Sequence, residues 1–293
     1  MCCKGVPRVR IPPAPVANLH DGQCMNKVYD CFSFNGEWDL LELRLNTLDP
    51  VVDYFVIAES NHTHMGIPKK LHFNIRDSRI SKFSKKIRFV LVSDMPNKDA
   101  WGNDRFQRNA STRGLWDAEP QDLVLISDCD EIPKPEAVAA SRDHPYSLFG
   151  YECTWFYCFI NNTNVQGHPP EIASVGIRAS ELEKHTPDDY RWGIRSVKYP
   201  GIWIWPQSGW HFSYLMDKEK IIEKVQNFTH QEFNNPQVLS KIDPVEAALN
   251  GTDLLGREWM TWKLLHRDQL DLPYYIWKNW NQFEKHYLPP RSE

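Results

Sequence analysis

The sequence lacks any apolar run long enough to cross a lipid bilayer. Its longest apolar stretches, at 55–58 and 123–126, have the length of β-strands, whereas a membrane-spanning helix takes about 18 apolar residues. It also lacks an excess of positive charge, since its formal net charge is −4, and so it offers no general basic field for nucleic acid. We therefore expect neither a membrane span nor a nucleic-acid partner.

Paired cysteines and an apolar leader are absent as well. None of the seven cysteines stands in a CxxC spacing, so the sequence supports neither a zinc site nor a disulfide framework. Prolines interrupt residues 1–24, so this segment lacks the continuous apolar core of a signal peptide. We predict a disordered leader, or a non-native start ahead of Met25, with S-acylation of Cys2 and Cys3 as the alternative. The cytoplasm is the favoured compartment.

What the sequence does contain is an alternation of strand-like and helix-like segments. Helix-like patterns cover 37–48, 104–116 and 135–141, and they separate strands predicted at 28–34, 52–60, 87–93 and 123–127. This order predicts an α/β fold with a mixed, mostly parallel central sheet flanked by helices. Neither an internal repeat nor a low-complexity linker divides residues 25–293, which we interpret as one domain.

The rest of the chain follows another pattern. Aromatic and β-branched residues at 147–160 and 172–178 predict longer, antiparallel strands. The C-terminal part, from residue 218, becomes helical again, so we expect a helical C-terminal tail.

The segment Asp128-Cys129-Asp130-Glu131 follows the most apolar of the predicted strands. In extended backbone, residues two apart point to the same side, so Asp128 and Asp130 are expected together and Glu131 elsewhere. Close carboxylates suit a hard divalent cation such as Mg²⁺ or Mn²⁺. The alternative is an exposed acidic turn before a helix, favoured by the dipole of that helix.

Four segments at compatible spacing carry a family resemblance. Together they resemble glycosyltransferase family 17, and the similarity extends from about residue 28 to 287. The four segments are 39–45 (DLLELRL), 55–61 (FVIAESN), 128–133 (DCDEIP) and 209–211 (GWH).

The resemblance implies a GT-A type fold, a nucleotide-sugar donor and an inverting transfer to a glycan or another hydroxyl acceptor. The sugar it implies is N-acetylglucosamine, carried by UDP-GlcNAc. Asp128 and Asp130 match the Asp-x-Asp motif of the family, which engages the donor diphosphate through Mn²⁺, with Mg²⁺ as the alternative cation. Within this pair we expect Asp130 to bind the metal directly, and Asp128 to act through water or the ribose.

An inverting transfer needs a carboxylate that deprotonates the acceptor hydroxyl. Glu131, then Asp217, then Glu171 are the candidate bases, although each is also an ordinary surface or helix-start carboxylate. His211 ends the Gly-Trp-His segment and is predicted as a third metal or diphosphate ligand, because imidazole also suits Mn²⁺. Its alternative is a core histidine between aromatic residues.

Glu59, Ser60 and Asn61 end a predicted strand at the edge where such sheets bind ligands, and we expect them to hold the uridine or ribose. The alternative is a capping turn. Trp210 is the first candidate to stack on a sugar ring, and Trp155 is the second.

Three arginines lie on or near one predicted helix. We interpret this group as a solvated helix face, with a contact to the diphosphate as the alternative. The three residues are Arg105, Arg108 and Arg113.

Two other classes of function stay open. A glycan-binding protein without catalysis would account for the tryptophan content but would not need clustered carboxylates. A metal-dependent phosphoesterase would use the same aspartates but normally calls for more His and Asp ligands at several strand ends.

Overall fold

A computed structural model describes residues 25–96, 99–165, 171–227 and 229–291 of the chain. The predicted leader, 1–24, and the S-acylation of Cys2 and Cys3 lie outside these residues. Within the described part, no helix combines the length and the apolar character that a membrane crossing requires.

Ten strands form one mixed sheet in the described residues. In chain order they are β1 (Val28–Ser33), β2 (Tyr54–Ser60), β3 (Ile87–Val92), β4 (Leu123–Asp128), β5 (Glu131–Pro133), β6 (Leu148–Tyr157), β7 (Asn162–Asn164), β8 (Glu171–Arg178), β9 (Ile202–Ser213) and β10 (Trp262–Leu264).

Nine α-helices accompany the sheet in the same residues. They are α1 (Trp38–Leu48), α2 (Ala100–Ala110), α3 (Pro135–Arg142), α4 (Pro187–Arg195), α5 (Lys218–Asn227), α6 (Pro236–Leu239), α7 (Pro244–Asn250), α8 (Tyr274–Lys278) and α9 (Trp280–Phe283).

The sheet has a parallel part and an antiparallel part that meet at β4. Strands β3, β2, β1 and β4 lie side by side in parallel order. Strand β8 then pairs antiparallel with β4 and with β6, and β7 and β10 extend that side. The long strand β9 runs parallel to β6 and pairs antiparallel with the short β5. The predicted mixed sheet with flanking helices is confirmed, and the arrangement agrees with the GT-A type fold that the resemblance implies.

The apolar sequence of β4 explains its central position. Leu123, Val124, Leu125 and Ile126 are at most 1% exposed, and they alternate between two hydrophobic clusters on the two faces of the sheet. A strand buried on both faces needs such a continuous apolar run. Burial fixes β4 firmly, so the acidic residues that follow it start from a rigid position.

Some predicted boundaries were wrong. The helix predicted at 104–116 begins four residues earlier, where the Asp99 side chain accepts a hydrogen bond from the Gly102 N–H and caps α2. It ends at Ala110, where a 3₁₀ turn takes over. The tryptophan-rich run near 203–210 is part of the 12-residue strand β9.

Candidate functional site

A cleft opens where β1, β4 and β9 end, and helices α2, α4 and α5 supply its walls. It contains the whole acidic turn, a name used below for residues 128–131. The other lining residues are Ser33, Phe34, Asn35, Glu37, His62, Thr63, His64, Lys69, Trp101, Asp104, Gln107, Arg108, Glu171, Arg191, Trp192, Arg195, His211, Ser213, Tyr214, Lys224, Asn227, Thr229 and His230.

Arg44 of α1 holds the backbone of the acidic turn from below. Its side chain is fully buried and forms a two-bond ion pair with Asp30 of β1. The same guanidinium donates to the carbonyls of Asp128 and Glu131, at 2.9 and 2.8 Å. Buried carbonyl groups need such donors where the chain leaves a strand. Arg44 therefore fixes the path of the turn that links β4 to β5.

Two buried arginines bind the carboxylate of Asp128. Arg108 of α2 donates to one oxygen at 3.0 Å, and Arg191 of α4 donates to the other at 2.8 Å. Burial alone would raise the pKa of Asp128, but the charges of Arg191 and Arg108 outweigh it and hold the pKa well below the usual range. The interpretation of Arg108 as part of a solvated helix face is wrong, because it is 5% exposed.

Glu131 is also committed to arginine. Arg191 binds both of its carboxylate oxygens, Arg195 lies 3.2 Å from one of them, and the N–H of Asp128 donates to the other at 2.8 Å. Although burial opposes it, the charge of Arg191 lowers the pKa of Glu131. A carboxylate that is neutralised and hydrogen-bonded in this way is a poor proton acceptor. The structure therefore argues against Glu131 as the base.

Asp130 has different surroundings from its neighbours. The described residues donate no hydrogen bond to its carboxylate, and the nearest cationic groups are Lys224 Nζ at 3.7 Å and His211 Nε2 at 3.9 Å. Burial raises its pKa, against the opposing charges of Lys224 and His211. The surroundings of Asp130 thus differ from those of Asp128, because Cys129 and Asp130 form a turn and not a continuation of the extended strand.

Two contacts fix the imidazole of His211. Glu171 of β8 lies 2.8 Å from Nδ1, and the ring of Trp155 stacks on the imidazole with centroids 5.3 Å apart. Strand pairing also places His211 directly opposite Glu131. Burial alone would lower the pKa of His211, but Glu171 raises it to about 9. With Glu171 on Nδ1, the Nε2 atom is the one nearest Asp130.

This geometry gives Glu171 and Trp155 positioning roles. Glu171 is shared between His211 and Arg195, and its pKa is lowered to about 2, since the charge and hydrogen bond of His211 overcome burial. It was predicted as a third candidate base. A carboxylate bound to a histidine instead orients the ring and sets its tautomer. The carboxyl oxygens of Glu131 and Glu171 and a nitrogen of His211 lie within 4.8 Å of one another, but arginines bind both of these carboxylates.

The residues predicted to hold the nucleoside are placed differently. Glu59 is fully buried and accepts hydrogen bonds from Lys69 Nζ and from the N–H groups of His72 and Phe73. Ser60 is also fully buried and caps the following turn. Neither side chain lines the cleft, since each is used to shape the loop after β2.

Asn61 likewise stays outside the cleft lining and contacts the ring of His62 at 2.8 Å. The loop that it begins does reach the cleft, through residues 62–64. The cleft thus lies at the predicted edge of the sheet, but the residues that line it come one to three positions after Asn61.

Asp217 and Trp210 also lie away from the cleft. The Asp217 carbonyl accepts the first helical hydrogen bond of α5, and the residue is not among the cleft-lining ones. Trp210 is 5% exposed and donates from its indole N–H to the Asp271 carbonyl. Because side chains alternate along a strand, the position that points His211 into the cleft points Trp210 into the core on the other face.

Sequence reasoning missed several residues that line the cleft. The most prominent are Arg191 and Arg195, which lie one turn apart on α4 and therefore share a face. The signal for α4 was present, because Thr186 and Asp189 form a capping box ahead of this segment. Three further lining residues were not singled out either: Trp101, Trp192 and Lys224.

The sequence was compared with families and with curated proteins. Residues 15–159 match the model described as Glycosyltransferase family 17. This segment of the chain is similar to members of that family. A segment of 121 residues is 32% identical to the beta-1,4-mannosyl-glycoprotein 4-beta-N-acetylglucosaminyltransferase of Rattus norvegicus, covering 38% of this chain and 22% of that protein. The Homo sapiens protein of the same name matches at 32% identity, over 38% of this chain and 23% of its own length.

The family 17 resemblance predicted from the sequence is thus confirmed for this part of the chain. The aligned segment spans less than a quarter of the length of these relatives. Their specific activity, donor and acceptor are therefore matters of proposal for this chain.

Solved structures with a similar arrangement were also found. Glucosyl-3-phosphoglycerate synthase from Mycobacterium tuberculosis, in complex with Mn²⁺, UDP and glucosyl-3-phosphoglycerate, has a TM-score of 0.40 and 10% identity over 67% of this chain and 75% of its own. The catalytic domain of Drosophila beta1,4galactosyltransferase 7 has a TM-score of 0.34 and 10% identity over 67% of this chain and 73% of its own. At TM-scores below 0.5, these similarities define neither a shared fold nor a function.

Proposed function

We propose that the chain is a metal-dependent, inverting glycosyltransferase that moves N-acetylglucosamine from a UDP-sugar to a hydroxyl group of a glycan. One observation carries the proposal. In a cleft at the ends of β4 and β9, Asp130 and His211 face each other, and a network of arginines neutralises the carboxylates beside them. The family match spans the acidic turn, so family and geometry support the same site.

The side chains of Asp130 and His211 suit a divalent cation such as Mn²⁺ or Mg²⁺ as ligands. Asp130 offers a carboxylate that receives no hydrogen bond from the described residues, and His211 offers Nε2 at 3.9 Å. The contact of Glu171 with Nδ1 is the arrangement that commonly supports a metal-bound histidine. When bound, the cation would supply positive charge that stabilises the nucleoside diphosphate as it leaves.

Residues of the chain itself would prepare the site for that charge. Lys224 places an ammonium group 3.7 Å from Asp130, and its pKa is raised, because the charge of Asp130 outweighs burial. A fixed cation near a leaving diphosphate lowers the barrier without reorganisation. Arg108 and Arg191 hold Asp128 in one place, so the turn is already in position before a donor binds.

The acceptor class is taken from the relatives' names. The proteins that match are named for transfer to a beta-1,4-mannosyl-glycoprotein. We propose a mannosyl-containing glycan as the acceptor of this chain and N-acetylglucosamine as the transferred sugar.

A donor screen tests the proposal. Release of UDP is measured for several UDP-sugars, with Mn²⁺ or with a chelator, for the wild-type protein and for Asp130→Ala. We expect release from UDP-N-acetylglucosamine that depends on Mn²⁺ and falls about 100-fold or more in the variant, the usual scale for loss of a metal site. Asp94→Ala is the matched control, since Asp94 is an exposed aspartate that pairs with Arg113 at the surface and is not among the residues that line the cleft.

Three results would contradict the proposal. Equal turnover by wild type and Asp130→Ala would exclude the metal assignment. Binding of a mannosyl oligosaccharide without any UDP release would favour a glycan-binding protein instead. Release of phosphate from simple phosphate esters, in place of UDP from UDP-sugars, would indicate a phosphoesterase.

A further inference from the structure

Two tryptophans stand exposed at the mouth of the cleft. Trp101 on α2 and Trp192 on α4 both line it, with 42% and 46% of their surface exposed. Their ring centroids lie 6.4 Å apart, with the ring planes at 62°. Large aromatic side chains are normally buried, so an exposed pair beside a charged cleft indicates a surface that a ligand covers.

Both indoles are held by neighbours. The guanidinium of Arg195 lies 5.4 Å from the centroid of the Trp192 ring, and the imidazole of His230 lies 4.8 Å from the ring of Trp101. Trp192 also follows Arg191 directly, and Arg191 binds the acidic turn. One helix therefore connects the exposed ring of Trp192 to the proposed donor site.

The surroundings of the pair are polar. Asp104, Asn227 and Thr229 line the same cleft, and their side chains offer both donors and acceptors of hydrogen bonds. A pyranose ring has a flat face of C–H groups, which packs on an indole, and a rim of hydroxyl groups, which needs polar partners. A mixed aromatic and polar wall matches that chemistry better than it matches a fully apolar ligand.

We propose that Trp101 and Trp192 form an acceptor platform, on which a sugar ring of the acceptor stacks while its reactive hydroxyl faces the cleft. The assignment rests on the proposed function, and it makes the acceptor a glycoside. The platform lies on α2 and α4, whereas Asp130 and His211, which we propose bind the cation of the sugar donor, lie at the ends of strands. The two binding surfaces are thus carried by different elements of one cleft.

Direct binding tests the platform without any transfer. The probe is a β-1,4-mannosyl oligosaccharide, titrated in the absence of donor and metal and followed by saturation-transfer NMR. We expect Trp192→Ala to weaken binding about tenfold and Trp192→Phe, which keeps an aromatic ring, to weaken it only about twofold to threefold. Trp116→Ala is the control, because Trp116 is 71% exposed and lies outside the cleft lining; its binding should equal that of wild type.

Steady-state kinetics then separate the acceptor from the donor. With the transferred sugar established, Trp101→Ala and Trp192→Ala should raise KM for the oligosaccharide about tenfold, with a smaller change in KM for the UDP-sugar. A rise confined to the donor KM would overturn the proposal, since it would place the donor sugar on the platform. Oligosaccharide binding that is unchanged in Trp192→Ala, or equally weak in Trp116→Ala, would overturn it too.

The remaining outcomes are also decisive. A wild-type protein that binds no oligosaccharide overturns the platform, even where it releases UDP from a UDP-sugar. A protein that binds oligosaccharide through Trp192 but never releases UDP supports the platform and refutes the proposed transferase. If Trp192→Ala fails to fold, as judged by circular dichroism, the comparison rests on Trp101→Ala and Trp192→Phe.

Discussion

The three carboxylates of the acidic turn differ in what surrounds them. Asp128 and Glu131 are bound by buried arginines, and their pKa values are lowered. Asp130 is buried, its carboxylate accepts no hydrogen bond from the described part of the chain, and its pKa is raised by burial. Neighbouring residues of one chemical type thus lie in different surroundings, because the arginines of α2 and α4 bind Asp128 and Glu131 but not Asp130, which we propose as the metal ligand.

At the scale of the residue, metal binding should release a proton. Glu171 raises the pKa of His211 to about 9, so the folded apo protein carries His211 as a cation at pH 7.5. Mn²⁺ cannot bind to Nε2 of His211 while that nitrogen carries a proton. About one proton should therefore leave for each Mn²⁺ bound. Calorimetry at pH 7.5 in buffers with different ionisation enthalpies would measure this number, and the affinity should rise as the pH approaches 9.

The control for this prediction is His211→Asn, which removes the titrating ring and keeps a polar side chain. We expect the variant to bind Mn²⁺ more weakly and with little proton release. Proton release that is the same in both proteins would show that His211 does not exchange its proton for the metal.

At the scale of the element, one buried arginine connects α1 to the sheet and to the acidic turn. Arg44 is fully buried, and its positive charge is paired with the carboxylate of Asp30. Its remaining donors bind Ser127 and carbonyls of the acidic turn. Removing one partner of a buried pair leaves the other charge unbalanced, which is more harmful than never having had the pair.

We therefore expect Arg44→Met to lower the free energy of unfolding by about 3–5 kcal/mol, measured by urea denaturation. The double variant Arg44→Met/Asp30→Leu should recover part of that loss, because it also removes the unpaired carboxylate. Arg79→Met is the control, because its ion pair with Asp77 is partly exposed to solvent, and it should lower the free energy of unfolding by less than about 1 kcal/mol. Equal losses for Arg44→Met and Arg79→Met would contradict a structural role for the buried pair.

The sequence predicted the elements better than it predicted the site. Strands with continuous apolar runs, such as β4, were found because burial on both faces leaves a clear pattern. The site depends on side chains that meet only after folding. Glu131 and Arg191 lie 60 residues apart in sequence, and neither hydrophobic periodicity nor motif spacing records such a pair.

Local geometry explains the other differences. Extended backbone would have placed Asp128 and Asp130 side by side, but β4 ends at Asp128 and a turn follows. The Gly-Trp-His segment was recognised, and both Trp210 and His211 were expected in the site. Because side chains alternate along the strand, only His211 lines the cleft, and Trp210 packs into the core. Gly209 has a packing reason of its own, since a Cβ there would lie 2.5 Å from the sulfur of Cys153.

At the scale of the whole molecule, the C-terminal tail closes onto the first helix. Glu42 of α1 accepts hydrogen bonds from the side chains of Tyr275 and Gln282, each at 2.8 Å. Ile276 and Phe283 of the tail are fully buried and belong to the same hydrophobic cluster as the leucines of α1. Residues more than 230 positions apart therefore share one core, which makes the tail part of the folding unit.

A chain that ends at Leu272 should consequently be unstable as a whole. The deletion removes two buried apolar side chains and leaves the buried Glu42 without both donors, so we expect a loss of several kcal/mol in the free energy of unfolding. Urea denaturation of the truncated and intact chains would measure it, with Tyr274→Ala as the control, because Tyr274 is 79% exposed. A truncated chain as stable as the intact one would show that the tail only lies on a core that is complete without it. Because α1 also carries Arg44, a loosened α1 should in turn weaken Mn²⁺ binding at the acidic turn, whereas Tyr274→Ala should leave that binding unchanged.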